Sequence, residues 1–330
     1  MLVTGGAGYV GSHACKALQR AGRHVVVLDN LTAGHRAAVR YGELVEADVT
    51  DTPAVRAALR RHQIGAVMHF AALLDVGESV REPARYYRNN VAGALSVLEA
   101  MAAESVGLFV FSSTCATYGE PLEAPIRESH PQLPINSYGE TKLAVERALP
   151  HFERAAGIRA SALRYFNAAG ADPEGELGED HSPEIHLIPR AIEAATGGRG
   201  LEVFGGDYPT PDGTCLRDYV HVSDLAAAHV MALEAIAAGG PSSVYNLGTG
   251  RPQSVRQVIE AVERVTGRHV PWTLAPRRDG DPAVLYAAPQ KAETELGWTP
   301  RVSDLDSIVR TAWNWHCRHP QGYRAAATHS

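Results

Sequence analysis

Ser137-Tyr138-Gly139-Glu140-Thr141-Lys142 sets a phenol and an ammonium four residues apart. In a helix that spacing puts both on one face. A tyrosine hydroxyl has a pKa near ~10 and is a poor base at neutral pH. A neighbouring cation favours the phenolate and lowers that pKa. A positively charged nicotinamide would lower it further. The chemistry to expect is removal of a proton from an alcohol whose carbon gives up a hydride. Tyr-x-x-x-Lys alone is also the pattern of an amphipathic tyrosine beside a solvated lysine, so its meaning rests on what else the chain holds.

The first residues supply that context. Met1-Leu2-Val3-Thr4 reads as a strand, Gly5-Gly6-Ala7-Gly8-Tyr9-Val10-Gly11 as a glycine turn, and the pattern up to Ala21-Gly22 as a helix. A second strand, His24 to Leu28, ends at Asp29. Glycines let backbone approach a pyrophosphate, and a helix N-terminus offers it free amides. Asp29 follows Gly11 by 18 residues, near the ~20 expected of a carboxylate that binds the adenosine ribose. An acid there, with no arginine directly after it, selects NAD over NADP. A lone glycine fingerprint is weak; strand, helix and acid around it make it specific.

Strands and helices keep alternating. Strands are expected at 44–47, 66–70, 108–114 and 159–163, and helices near 53–62, 84–104 and 136–156. Asp48 is placed to meet an adenine amino group, and Ala71-Ala72 are small enough for close contact with a dinucleotide. This rhythm predicts an α/β fold with a parallel, doubly wound Rossmann-type sheet, binding ligands beyond the C-terminal strand ends. After about 170 the rhythm breaks. Asp172 to Pro183 reads as a surface loop. Helices are expected near 187–196, 224–238, 255–266 and 305–316, among short mixed strands. Trp313 and Trp315 read as packing residues. The expected organisation is an NAD-binding domain over 1–170, to which 213–238 returns, and a smaller mixed α/β substrate lobe over 171–330.

Composition excludes several classes. The 330 residues carry a net charge of −6 with 45% hydrophobic and 21% charged residues, ordinary for a globular protein. Without a basic stripe, nucleic acid is not an expected partner, and no apolar run reaches membrane-spanning length. Cys15, Cys115, Cys215 and Cys317 are too dispersed for a zinc or disulfide frame, which suits a reducing compartment. The chain opens directly into a strand, so no signal peptide is expected, and the location expected is cytoplasmic. The 15 histidines are scattered without a His-x-x-x-His pair, so no metal is expected.

The glycine fingerprint, Tyr138-x-x-x-Lys142 and an upstream hydroxyl at Thr114 resemble the extended short-chain dehydrogenase/reductases. His69-Phe70-Ala71-Ala72, Tyr86-Tyr87-Arg88-Asn89-Asn90-Val91, Leu163-Arg164-Tyr165-Phe166-Asn167, Arg217-Asp218-Tyr219-Val220-His221-Val222, Tyr245-Asn246-Leu247-Gly248 and His319-Pro320-Gln321-Gly322-Tyr323 resemble its UDP-glucose 4-epimerase branch over almost the whole length. The resemblance implies reversible inversion at C4 of a UDP-hexose through a transient 4-keto sugar, with NAD tightly held. It gives Tyr138, Lys142 and Thr114 the catalytic roles: Tyr138 moves the proton, Thr114 positions or relays it, and Lys142 binds the nicotinamide ribose.

Implied NAD contacts are Gly5, Gly8, Tyr9, Val10, Gly11, Asp29, Asn30, Leu31, Thr32, Gly34, Asp48, Val49, Phe70, Ala71, Ala72, Leu74, Asn89, Lys142 and Phe166. Implied substrate contacts are Thr114, Tyr138, Asn167, His186, Leu187, Glu202, Val203, Phe204, Arg217, Tyr219, the stretch from Arg278 to Asp281, and Leu285. Arg217 and Arg278 would pair with the UDP diphosphate. A homodimer is implied as well. Leu74 departs from a lysine in some relatives, and His186 from an asparagine. Leu285 is intermediate between the tyrosine and the small residue that go with narrow and broad sugar range, so UDP-N-acetylhexosamines and UDP-pentoses stay open. A 4,6-dehydratase would need an acidic pair after the hydroxyl residue, where Cys115-Ala116 stand. A non-catalytic NAD-binding regulator is countered by the intact Thr/Tyr/Lys set.

Overall fold

Strand residues of the first half alternate between two apolar faces. Leu2, Val26, Leu28, Val67, Phe109 and Phe111 point into one core, and Val3, Val27, Met68 and Val110 into the other. Apolar side chains on both faces require helices on both sides of a parallel sheet, and the computed structural model, which describes residues 1–278 and 281–324, has that architecture. In chain order the strands are β1 (Leu2–Thr4), β2 (Val26–Asp29), β3 (Glu43–Glu46), β4 (Val67–His69), β5 (Leu108–Thr114), β6 (Arg159–Tyr165), β7 (Asn167–Ala169), β8 (Leu201–Phe204), β9 (Leu216–Arg217), β10 (Tyr219–His221), β11 (Ser243–Leu247), β12 (Gln253–Ser254), β13 (Trp272–Ala275) and β14 (Val284–Leu285). Seven form one sheet in the order β11-β6-β5-β4-β1-β2-β3, with every neighbouring pair parallel. The strand order reverses between β1 and β4, and the crevice beyond that point is where such sheets bind ligands.

The helices are α1 (Tyr9–Arg20), α2 (Thr52–Arg61), α3 (Val76–Arg81), α4 (Pro83–Tyr86), α5 (Gly93–Ala103), α6 (Ser137–Ala156), α7 (Leu187–Ala195), α8 (Val222–Ala237), α9 (Val255–Thr266), α10 (Gln290–Leu296) and α11 (Leu305–Arg318). One sheet face packs residues of α2, α5 and α6, the other those of α1 and α8. A third core joins α7, α9 and α11 to β8. In α9, Val258, Ile259 and Val262 are buried there and Val255 and Val265 pack against it, as the helical spacing requires.

Three local expectations are corrected. The single helix at 84–104 is α4, one π-helical turn over Tyr87–Ala92, and α5. The π turn puts Asn90 inside, where its side chain bonds the Leu73 backbone and Thr141. The loop after Asp172 is no mere surface loop: Asp172, Leu177 and Glu179 are buried. Lys16 Nζ, itself buried, donates to Asp172 (2.7 Å), Glu174 (2.9 Å) and Glu176 (2.7 Å), which ties the loop to α1. Third, β11 adds an edge strand from 243–247 to the large sheet, beyond the segment expected to return to it. Among the described residues no helix is long and apolar enough to cross a membrane.

Candidate active site

The glycine turn is built by contact distances. Gly5 sits at φ +71, and a Cβ there would lie 2.5 Å from the Ala71 nitrogen. A Cβ on Gly11 would lie 2.2 Å from the Gly5 carbonyl oxygen. Only hydrogen fits at either place, so β1, the start of α1 and the loop after β4 close up to one another at the sheet's switch point. Gly8, the residue before α1, contributes no side-chain cap, so the first amides of the helix stay available to an anion. At the end of β2, Asp29 accepts from the Ala7 N–H at 3.0 Å and the Leu31 N–H at 2.9 Å. Burial pushes its pKa up and those two amides pull it back. Asn30 donates to Asp48 at 2.7 Å, joining the two carboxylates expected to meet the adenosine.

Helix α6 delivers the phenol and the ammonium. Asn136 caps it by accepting from the Gly139 N–H at 2.8 Å. A Cβ on Gly139 would lie 2.5 Å from the Ala116 carbonyl oxygen, so the helix rests directly on the turn that follows β5. That contact sets Tyr138 beside Thr114, whose hydroxyl accepts from the Ala116 N–H at 3.1 Å. One turn on, the Lys142 ammonium donates to the Ser112 carbonyl at 2.7 Å and lies 5.0 Å from the Phe111 ring centre and 6.0 Å from that of Tyr138. Another turn on, Glu146 pairs with Arg164 of β6; both are buried.

The electrostatics correct one expectation. Burial drives the Tyr138 pKa well above its ordinary value and Tyr165 adds to the rise, while the Thr114 contact opposes it. Burial brings Lys142 down to about 7, with Glu146 resisting. Desolvation of the phenol outweighs the ammonium, whose nitrogen lies 6.0 Å from the Tyr138 ring centre.

These groups share one cavity of about 1130 Å³. Its wall includes Gly5, Gly8, Tyr9, Val10, Gly11, Asp29, Asn30, Thr32, Gly34, Asp48, Val49, Phe70, Ala71, Ala72, Leu74, Asn89, Thr114, Tyr138, Lys142, Phe166, Asn167, His186, Arg217, Arg278, Asp281 and Leu285. Arg217 on β9 pairs with Asp281, and Arg278 stacks over Phe204 with 3.7 Å to the ring centre. Leu31, Leu187, Glu202, Val203, Phe204 and Tyr219 are not part of the wall; Val203 and Tyr219 belong to the third core. Residues 279 and 280, inside the expected substrate stretch, lie outside the described residues.

Two features of the site have no role among the sequence-based expectations. Tyr165 reaches the cavity and meets the Ser112 hydroxyl, and its phenol is pushed up to about 12 by burial. The second overturns the reason for discounting the histidines: Glu179, His181, Glu184 and His186 bring their donor atoms within 4.8 Å of one another. Against the burial that would discharge it, His181 is raised to about 10 by Glu179 and Glu184. No helical spacing announces this group, because a non-helical loop gathers it.

The switch-point crevice, the glycine cradle and the Thr/Tyr/Lys constellation define an NAD-dependent enzyme of the short-chain dehydrogenase/reductase type. Residues 1–248 match the NAD dependent epimerase/dehydratase family, and the chain belongs to it. It is 50% identical over 324 residues to UDP-glucose 4-epimerase of Halalkalibacterium halodurans, covering 98% of this chain and 97% of that one. The crystal structure of UDP-glucose 4-epimerase from Brucella ovis in complex with NAD superposes with a TM-score of 0.93 at 52% identity, covering 94% of this chain and 96% of that one. The enzyme from Bifidobacterium longum in complex with NAD+ and UDP gives 0.92 at 38% identity, covering 97% and 99%.

Proposed function

We propose that this chain interconverts the C4 epimers of a UDP-hexose, UDP-glucose and UDP-galactose, with NAD held throughout. The observation that carries the reading is the convergence of Thr114, Tyr138 and Lys142 with the glycine cradle in one cavity long enough to reach Arg217 and Arg278. The residues present fit the dinucleotide: a cradle where only backbone fits, Asp29 at the end of β2, and small side chains at Ala71 and Ala72. When bound, NAD supplies the transient oxidation of the sugar at C4 and its reversal.

The chain's own residues do the rest. Tyr138 takes the proton of the sugar 4-hydroxyl and returns it. Burial holds this phenol protonated, and positive charge brought beside it releases the proton more readily. Thr114 orients the hydroxyl. Lys142 keeps its ammonium against the Ser112 carbonyl and would bind the ribose next to the nicotinamide when NAD is present. Gly5, Gly8, Gly11 and Asp29 hold the remainder of the dinucleotide. Arg217 and Arg278 anchor the diphosphate while the sugar turns between the two faces it presents. In this division of labour residues 1–170 hold the cofactor and 171–330 the UDP-sugar, with 213–238 packing back on the cofactor-binding sheet through α8 while lending Arg217 to the sugar side.

The finer features follow the same reading. Exposed Val76 and Val80 on α3 and Tyr87 on the π turn suit a homodimer contact. Four unpaired cysteines, three of them buried, suit the cytoplasm. Leu285, half-buried on the cavity wall, is aliphatic where a tyrosine would narrow the pocket, which favours tolerance of UDP-N-acetylhexosamines; UDP-pentoses stand as the alternative. The test is to incubate the purified protein, without added NAD, with UDP-galactose, UDP-N-acetylgalactosamine and UDP-xylose in turn. UDP-glucose is the expected product of the first. An NAD-loaded enzyme that leaves UDP-galactose unchanged overturns the proposal.

A further inference from the structure

We propose that Glu179, His181, Glu184 and His186 form a binding site for one divalent transition-metal ion of the zinc class, at the edge of the main cavity where the part-buried 170–186 loop meets Tyr9. The donor geometry is the first ground. A tetrahedral ion with bonds of ~2.0–2.2 Å holds its ligand atoms about 3.3 Å apart. His181 Nδ1 stands 3.3 Å from Glu179 Oε1 and 3.6 Å from Glu184 Oε1, and His186 Nδ1 stands 3.8 Å from Glu184 Oε1. Glu179 and His186 touch directly, the one contact an ion would have to open.

The second ground is unsatisfied chemistry. His181 Nδ1 is buried, and its contacts to Glu179 and Glu184, at 3.3 and 3.6 Å, do not form a well-aligned hydrogen bond, a cost that native interiors seldom leave unexplained. The Glu179 carboxylate is 5% exposed and that of Glu184 16% exposed. Their ion-pair partners among the described residues are these two imidazoles, with no lysine or arginine. The neighbouring acidic group of Asp172, Glu174 and Glu176 is different, because the Lys16 ammonium occupies its centre. A dication would displace the protons the imidazoles share with these carboxylates, and with two neutral imidazoles and two carboxylates the group then keeps zero net charge.

Ligand preorganisation is the third ground. Glu184 Oε1 accepts from the Ile185 N–H at 2.8 Å and the His186 N–H at 2.9 Å, which fixes that oxygen before anything binds, as partners around a metal site do. Imidazole with carboxylate selects zinc-like ions over magnesium or calcium. Four protein ligands leave no open position, which marks a structural site. Its work is to lock the Glu179–His186 stretch against the cavity wall that Tyr9 shares. The inference stands on these contacts and not on the epimerase reading.

The test uses the full chain, stripped with a chelator and titrated with Zn2+ by calorimetry, with metal content measured after gel filtration. One equivalent is expected to stay bound, and Co2+ in its place is expected to give the visible absorption of a tetrahedral site. His181→Ala and Glu179→Gln should weaken binding by more than about 100-fold, beyond the loss typical of a partner outside the ligand set. His269→Ala, which alters an exposed histidine paired with Glu263, should leave it unchanged. No saturable uptake by the wild-type chain overturns the site. So does equal affinity in wild type, His181→Ala and Glu179→Gln. Because the wild-type titration and cobalt spectrum decide by themselves, a variant that fails to fold does not shield the proposal.

Discussion

Tyr138 is a half-buried phenol whose own surroundings keep its proton in place, so its usefulness as a base depends on charge brought to it. Replacing it by phenylalanine keeps the ring and removes only the hydroxyl. Tyr138→Phe should fold as wild type, retain NAD, and lose the ~10² to 10⁴-fold typical of general acid/base work, read as kcat for UDP-galactose. Near wild-type turnover would remove Tyr138 from the mechanism. Lys142 carries a pH signature. Its folded pKa of about 7 lies below the ordinary ~10.4 of an unfolded chain. Between those values the unfolded state binds more protons, so this group makes the folded state gain stability as pH rises from 7 towards 10. Lys142→Met removes that slope. The Tm difference, variant minus wild type, should therefore shrink as pH is raised through this window in cofactor-free protein, and a constant difference would contradict a desolvated ammonium.

Among the elements, α6 is the one on which the site depends, and two contacts set its position. Gly139 lies against the Ala116 carbonyl, where a Cβ would come within 2.5 Å of the oxygen. Gly139→Ala must push the helix off the turn after β5, carrying Tyr138 away from Thr114. A misplacement on the order of 1 Å can cost about 10²-fold in rate, so kcat should fall while NAD content is kept; unchanged kcat would show that the helix has slack. The second contact is the Glu146–Arg164 pair, 5% exposed on each side, with Arg164 also donating to the Tyr118 hydroxyl at 2.8 Å. Arg164→Met leaves the Glu146 charge buried without its partner. Breaking a buried pair in this way costs about 3–5 kcal/mol, measurable by urea unfolding. A loss under about 1 kcal/mol would mean that water reaches Glu146.

At the scale of the whole molecule, His13, His69 and His229 are buried and held neutral. Burial lowers His13 to about 4, His69 to about 3 and His229 to about 4. Their folded pKa values lie below the ordinary ~6.5, so the unfolded state takes up more protons as pH falls through roughly 6.5 to 4, and stability falls with it. The protein should begin to lose Tm already below pH 6.5, before its carboxylates titrate. His69→Gln, which can keep a bond to the Thr4 hydroxyl that now lies 2.7 Å from His69 Nδ1, should flatten that acid limb. An acid limb that starts only below about pH 4.5 would contradict the neutral, desolvated state of these rings.

What the sequence by itself determined is whatever depends on neighbours along the chain. Periodicity gave the parallel sheet and its flanking helices, spacing put Tyr138 and Lys142 on one helical face, and the glycine turn with Asp29 pointed to the dinucleotide. Those signals are local because backbone hydrogen bonding and side-chain alternation repeat over a few residues. Only the tertiary structure decided the rest. Burial, not the neighbouring lysine, governs the phenol's pKa; Val203 and Tyr219 fall into a core while Tyr165 reaches the cavity; and a loop that reads as solvent-exposed is drawn inward by Lys16 and gathers two glutamates and two histidines. Desolvation and the meeting of residues distant in sequence are properties of packing, and packing leaves no periodic trace in the chain.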